Sequence, residues 1–167
     1  PSPGMARVHL TYNEFGDLAT ATAKGLRDIG VEKGDRVAII IDNSVEWAAL
    51  SYGANALGAA YTAMYTHQHG KDWAYIIADA TPKVVAVANT EVLDKLCGAL
   101  PADGWPASGV ILLGDEPANQ LPPEGVEVRS WMEFTQEGRA SADLEEIADD
   151  PSALSTLIYT SGTTGNP

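Results

Sequence analysis

Two uninterrupted apolar runs restrict this chain to few architectures. Val37-Ala38-Ile39-Ile40-Ile41 and Val84-Val85-Ala86-Val87-Ala88, the second following Lys83, have no polar residue at alternate positions. A strand with one face in water alternates, so a continuous run predicts a strand covered on both faces, as in a parallel sheet. Segments of helical period lie between them. Thr11 with Glu14 three residues on reads as a capping box, and Phe15, Leu18, Thr22, Leu26 and Ile29 then recur at helical spacing until Gly30. Asn43 is expected to cap a second helix running to about Gly58, with a short strand from Ala59 to Met64.

The alternation continues along the chain. Lys71 to Asp79 reads as a helix ended by Thr81-Pro82, and Thr90 is expected to cap a helix reaching Cys97. Gly109 to Leu113 and Val126 to Val128 read as strands, Asp115 to Glu124 as a surface loop, and Ser130 to Gln136 as a short helix. Leu154 to Tyr159 reads as a final apolar strand. Strands alternating with helices of this length imply right-handed crossovers, so the expected fold class is α/β, a largely parallel sheet with helices on both faces.

Composition excludes several functions. Of 167 residues, 10 are Lys or Arg and 23 are Asp or Glu, a net charge of −13. A field of that sign repels nucleic-acid phosphates and anionic headgroups, so no nucleic-acid partner is expected. The single cysteine, Cys97, rules out an intrachain disulfide and a cysteine-cluster metal site. The uncharged stretch from Trp47 to Thr66 is long enough to span a bilayer, yet its only long aliphatic side chains are Leu50, Leu57 and Met64. Such a stretch predicts a buried helix followed by a strand rather than a transmembrane segment. The chain opens Pro1-Ser2-Pro3-Gly4 and stops at Pro167, so both ends are expected to be cut, and no signal-peptide pattern is present.

The chemistry concentrates at the end of the last strand, where Thr160-Ser161-Gly162-Thr163-Thr164-Gly165 follows Tyr159. Glycines permit positive φ, so successive backbone N–H groups can converge on an anion, and the hydroxyls add donors. In open parallel sheets ligands sit beyond the carboxyl ends of the strands, where this loop would lie. The expected ligand is a polyphosphate; the plain alternative is a flexible Gly/Ser/Thr linker. The Walker pattern cannot be fitted because Gly162 and Gly165 are only three apart, which disfavours a P-loop kinase or GTPase.

Tyr159 to Pro167 resembles the phosphate-binding signature of the adenylate-forming superfamily, which comprises AMP-forming acyl-CoA synthetases, adenylation domains and luciferases. The signature normally continues into Lys-Gly, one residue beyond Pro167. Thr11-Tyr12 with Glu14-Phe15, Gly30-Val31 with Gly34-Asp35-Arg36-Val37-Ala38, Asn43 with Glu46-Trp47, and Gly58-Ala59 with Tyr61 resemble the family's N-terminal region in the same order. Ala63-Met64-Tyr65-Thr66 is similar to the long-chain fatty acyl-CoA synthetase branch. The resemblance implies that residues 10–167 are the N-terminal portion of an AMP-binding domain, truncated within the phosphate-binding loop. Residues 1–9 are then a cut or disordered N-terminus.

The implied reaction is ATP-dependent ligation: carboxylate and ATP give acyl-AMP and pyrophosphate, and coenzyme A then displaces AMP. The resemblance assigns Thr160, Ser161 and Thr163 as hydroxyl contacts to phosphate, Gly162 and Gly165 as backbone positions, and Thr164 and Tyr159 as further members of the site. It implies ATP, Mg²⁺ and coenzyme A, small-molecule substrates including a fatty acid, and a cytoplasmic location with peripheral membrane contact left open. Neither a catalytic residue nor an oligomeric state is indicated, and the fragment alone is expected to be inactive. Two rivals stand beside this reading. One is an aryl-CoA or carrier-protein-loading adenylation enzyme, the other a non-catalytic nucleotide- or partner-binding module.

Other residues have plainer readings. His67 and His69 are expected on a surface loop, His9 exposed, and Cys97 packed. Trp47, Trp73 and Trp131 are expected to pack in the core, and Asp143 to Asp150 to form a solvated acidic face.

Overall fold

The computed structural model describes residues 9–106, 108–114, 116–145 and 150–160. Five helices and six strands follow one another as α1 (Tyr12–Asp28), β1 (Arg36–Ile40), α2 (Val45–Ala56), β2 (Ala60–Met64), α3 (Gly70–Ala80) and β3 (Val84–Val87). Then come α4 (Thr90–Cys97), β4 (Val110–Leu112), β5 (Val128–Ser130), α5 (Trp131–Ala140) and β6 (Thr156–Leu157). All strands are parallel, in the order β5-β4-β3-β1-β2-β6. The expected parallel α/β architecture is present.

The continuous apolar runs take the centre of the sheet for the expected reason. Val37 and Ile39 of β1, with Val84 and Ala86 of β3, face Ala23 and Leu26 of α1, Leu50 and Ala54 of α2 and Phe134 of α5. Ala38, Ile40, Val85 and Val87 face the other way, toward Trp73, Ile76 and Ile77 of α3 and Leu93 and Leu96 of α4. Strand side chains alternate between faces, so only strands apolar at every position can be buried on both sides. The uncharged stretch from Trp47 to Thr66 lies in α2 and β2, as expected, and no helix among the described residues is long and apolar enough to cross a membrane.

Local signals fix the helix ends. The capping box of α1 is complete: the Glu14 amide donates to the Thr11 hydroxyl at 3.2 Å, and the Thr11 amide donates to the Glu14 carboxylate at 2.7 Å. Gly30 leaves the helix at φ 88°, a conformation open to glycine at no steric cost.

Several expectations are corrected. Ser44, not Asn43, caps α2, its hydroxyl accepting from the Trp47 amide at 3.1 Å. Asn89, not Thr90, caps α4, accepting from Val92 at 2.9 Å, while Thr90 is the first helical residue and is buried. In both cases two adjacent residues could cap, and the capping residues Ser44 and Asn89 have the extended backbone that the role requires. Strand β5 starts two residues later than expected, because Val126 is held in a turn to Pro123 and the ladder begins with Val110 opposite Val128. Helix α5 runs on to Ala140 through Gly138, since packing on α1 outweighs the helical cost of glycine.

The last strand is the largest correction. Only Thr156 and Leu157 pair, with Tyr61 and Thr62 of β2, while Leu154 and Ile158 are exposed. Among the described residues β6 has a neighbour on one side only, so an apolar sequence there does not bring burial. Thr81 departs from the extended geometry that a residue before proline favours and sits in the left-handed region at φ 44°, ψ 58°. Trp73 is fully buried, whereas Trp47, Trp131 and Cys97 are half-buried; His9, His67 and His69 are exposed. In the acidic segment Asp143, Glu145 and Asp150 are exposed, but the Asp143 carboxylate also meets Lys24 at 2.8 Å; Glu146 and Asp149 lie outside the described residues.

Candidate functional site

Helices α2 and α3 leave the carboxyl ends of the neighbouring strands β1 and β2 toward opposite faces of the sheet. Chains diverging in this way open a crevice between the strand ends, the usual ligand position in open parallel sheets. A cleft of about 1150 Å³ lies there. Asp42 and Asn43 after β1, Tyr65 and Gln68 after β2, and Tyr159 and Thr160 after β6 form its rim, with Trp47, Tyr61 and Leu157 deeper in its wall. Trp47 and Tyr61 meet edge to face, 5.9 Å between centroids, a geometry favoured by their quadrupoles.

The β2–α3 loop is tied down from several directions. The Tyr65 amide donates to Gln68 Oε1 at 3.0 Å, and its carbonyl accepts from Trp73 Nε1 at 3.1 Å. The Thr66 hydroxyl donates to Asp42 at 2.8 Å, joining the loops after β1 and β2. The Lys95 ammonium donates to the Gln68 carbonyl and lies 4.5 Å from the Trp73 ring centroid. A buried tryptophan thus anchors this lip of the cleft, and a cation–π contact braces it from α4.

Tyr159 is half-buried, and its hydroxyl donates to Asp79 Oδ2 at 2.6 Å. Burial, this hydrogen bond and the adjacent negative charge push its pKa up to about 12, so it is a neutral donor at physiological pH. Thr160 is exposed on the rim. Ser161, Gly162, Thr163, Thr164 and Gly165 lie outside the described residues. Asp42 and Asp72 are the carboxylates on the described wall, and no Lys, Arg or His lines it. An anion would therefore find neutral donors on this wall, the Thr160 hydroxyl and the Asn43 amide among them. Among the described residues no three metal-ligating side chains converge. Asp42 and Asp72 alone do not make a divalent-cation cage, so these residues do not fit a magnesium site by themselves.

Sequence reasoning missed Asp42, Asn43, Tyr65, Gln68 and Asp72 as cleft residues. The available signal was position: Asp42 and Asn43 directly follow one apolar strand, and Tyr65 directly follows another.

The sequence matches the family described as AMP-binding enzyme over residues 5–167. The long-chain-fatty-acid–CoA ligase FadD13 of Mycobacterium tuberculosis is 34% identical over 164 residues, 96% of this chain and 29% of the relative. The long-chain-fatty-acid–CoA ligase ACSBG1 of Macaca fascicularis is 31% identical over 166 residues, 95% of this chain and 22% of the relative. The adenylation domain of a carboxylate reductase from Mycobacterium chelonae superposes with a TM-score of 0.79 at 24% identity, over 96% of this chain and 27% of that one. That likeness establishes the shared fold. The chain spans less than a third of the length of these relatives.

Proposed function

The chain belongs to the AMP-binding enzyme family, and we propose that it is the N-terminal portion of the adenylating domain of a fatty acid–CoA ligase. Residues 10–167 are that portion, ending within the phosphate loop, and residues 1–9 precede it. The observation that carries the reading is the junction after β6. A strand of the parallel sheet delivers Thr160 to the rim of the cleft, and the next five residues are hydroxyl-bearing or glycine. Identity to two long-chain-fatty-acid–CoA ligases across nearly the whole chain supports the acid class. So does Ala63-Met64-Tyr65-Thr66, three of whose residues line the cleft.

In the proposed reaction a carboxylate oxygen attacks the α-phosphorus of ATP. The bond to the β-phosphate oxygen breaks, pyrophosphate leaves and acyl-AMP remains. The coenzyme A thiolate then attacks the acyl carbonyl and AMP departs. Thr160, Ser161 and Thr163 donate hydroxyls to the β- and γ-phosphates. Gly162 and Gly165 bring backbone amides close, and Thr164 and Tyr159 complete the loop. Such donors act by holding the leaving pyrophosphate in place. Magnesium belongs to this reading as the counter-charge on those phosphates; the described residues do not form its ligand set, and no step is assigned to it. The enzyme works in the cytoplasm.

The test is pyrophosphate release by the full-length protein carrying this chain, with ATP, magnesium and a panel of acids. Release that depends on a long-chain fatty acid and is absent with benzoate is the expected result. Preference for an aryl acid would move the assignment to the aryl branch, and no acid-dependent release would overturn the enzyme reading. Residues 1–167 alone are expected to give no ATP–pyrophosphate exchange.

A further inference from the structure

We propose that Tyr159 is a positioning residue that latches the end of β6 onto α3 through Asp79 and so fixes the backbone at Thr160, the first residue of the proposed phosphate loop. This rests on reading residues 160–165 as the loop that holds the nucleotide phosphates.

Among the described residues, backbone pairing alone does little to fix Thr160. Strand β6 makes two register pairs, both with β2, and the neighbouring apolar residues Leu154 and Ile158 are exposed. So short a strand, paired on one side among the described residues, is weakly held. Tyr159, immediately before the loop, provides the missing restraint. Its ring packs against the cluster formed by α3, α4 and the sheet, and its hydroxyl reaches an acceptor 80 residues away in the sequence. Helix α3 is a firm anchor because Trp73, Ile76 and Ile77 are buried.

The same bond defines what Tyr159 does not do. A phenol has one proton to donate, and here it goes to a carboxylate. While that bond stands, the hydroxyl cannot also donate to a phosphate, and the adjacent carboxylate would repel one. Tyr159 therefore acts through the backbone it fixes, on Thr160.

The experiment compares Tyr159→Phe, Asp79→Ala and Asp79→Asn in the full-length protein. Tyr159→Phe and Asp79→Ala are expected to raise KM for ATP roughly three- to tenfold, the size of one lost hydrogen bond, with kcat within about twofold and the acid KM unmoved. Asp79→Asn keeps an acceptor oxygen and retains most of the affinity. An unchanged KM for ATP in Tyr159→Phe, with only the melting temperature lowered, would overturn the latch. Should the wild type show no ATP-dependent turnover, the functional reading fails and amide exchange at Thr160 decides the latch by itself. Exchange several-fold faster in Tyr159→Phe supports it, and equal exchange overturns it.

Discussion

Gly138 of α5 lies directly against the main chain of Ala21 in α1. A Cβ at position 138 would fall inside the van der Waals envelope of the Ala21 carbonyl oxygen and 2.9 Å from the Gly25 amide nitrogen. Gly25 returns the relationship one turn along, where an added Cβ would meet the Phe134 ring at 2.8 Å. Two glycines on facing helices thus let α5 close over the sheet face that α1 and α2 cover.

Gly138→Ala therefore destabilises the fold, although alanine is the better helix former by about 1 kcal/mol. Overpacking against immovable backbone costs about 3 kcal/mol net, which in a chain of this size lowers the melting temperature by roughly 6–12 °C. Thermal unfolding followed by circular dichroism measures it. A melting temperature equal to wild type would show that α1 and α5 stand farther apart.

Thr81 ends α3 in the left-handed region, where a β-branched residue is strained, and Arg36 stabilises it there. The Arg36 guanidinium donates to the Ala80 carbonyl at 2.7 Å, to the Thr81 carbonyl at 3.0 Å and to the Thr81 hydroxyl. Thr81→Gly removes the strain and loses one exposed hydrogen bond, for a net gain of about 0.5–1 kcal/mol. Arg36→Met loses about 1–2 kcal/mol by leaving the end of α3 unsatisfied. The two urea midpoints should move in opposite directions; a fall in both would contradict the strain.

Glu14, Asp94, Asp143 and Asp150 are among the surface carboxylates that hydrogen bonds hold below their ordinary range. Those bonds come to Glu14 from the Thr11 backbone, to Asp94 from the Asn119 side chain, to Asp143 from Lys24 and to Asp150 from the Ser152 side chain. A depressed folded-state pKa means stability that is present above the unfolded values, 3.8 for Asp and 4.5 for Glu, and lost as pH falls through the folded values. Relief of the −13 charge works the other way on mild acidification. A difference measurement separates the two effects. The stability gap between wild type and Asp143→Ala should be constant from pH 7 to 5 and shrink below about pH 4. A gap independent of pH would mean that the Lys24 pair contributes nothing.

Burial, and after it the Asp94 charge, pushes the Cys97 thiol above its ordinary pKa. The thiolate is the reactive form. Alkylation by iodoacetamide at pH 8 should be several-fold slower than for a small free thiol and should rise toward that rate on unfolding in urea. Equal rates in the folded protein would place the thiol in open solvent.

Within the proposed enzyme, Thr160→Val keeps the side-chain shape and removes the hydroxyl at the cleft rim. A hydrogen bond to a charged phosphate accounts for about 1–3 kcal/mol, so kcat/KM for ATP should fall about 5- to 150-fold with stability unchanged. Steady-state kinetics on the full-length protein reads this directly. No change would take Thr160 out of the phosphate site.

Much of this was legible in the sequence because it is local or periodic. Thr11 and Glu14 stand three apart, so their capping box follows from helical geometry alone. Val37 to Ile41 and Val84 to Ala88 announce two-sided burial by lacking alternation. Legibility ended where neighbours compete or partners are remote. Asn43 and Ser44 can both cap a helix; Ser44 takes the role, and Asn43 lies on the cleft. Leu154 and Ile158 look like core residues, yet among the described residues their strand pairs on one side only and they are exposed.

The sequence by itself determined which segments are strands and helices, that the sheet is parallel, and that a run of hydroxyl-bearing residues and glycines follows β6 in the chain. Those properties depend on spacings of two to four residues, which the backbone converts directly into structure. Tertiary structure alone decided the strand order β5-β4-β3-β1-β2-β6, the cleft between diverging helices, and the pairings of Tyr159 with Asp79 and Gly138 with Ala21. Each of these joins residues far apart along the chain. Which residues meet depends on the face each crossover takes and on how closely two helices can approach, and neither is encoded in any local window.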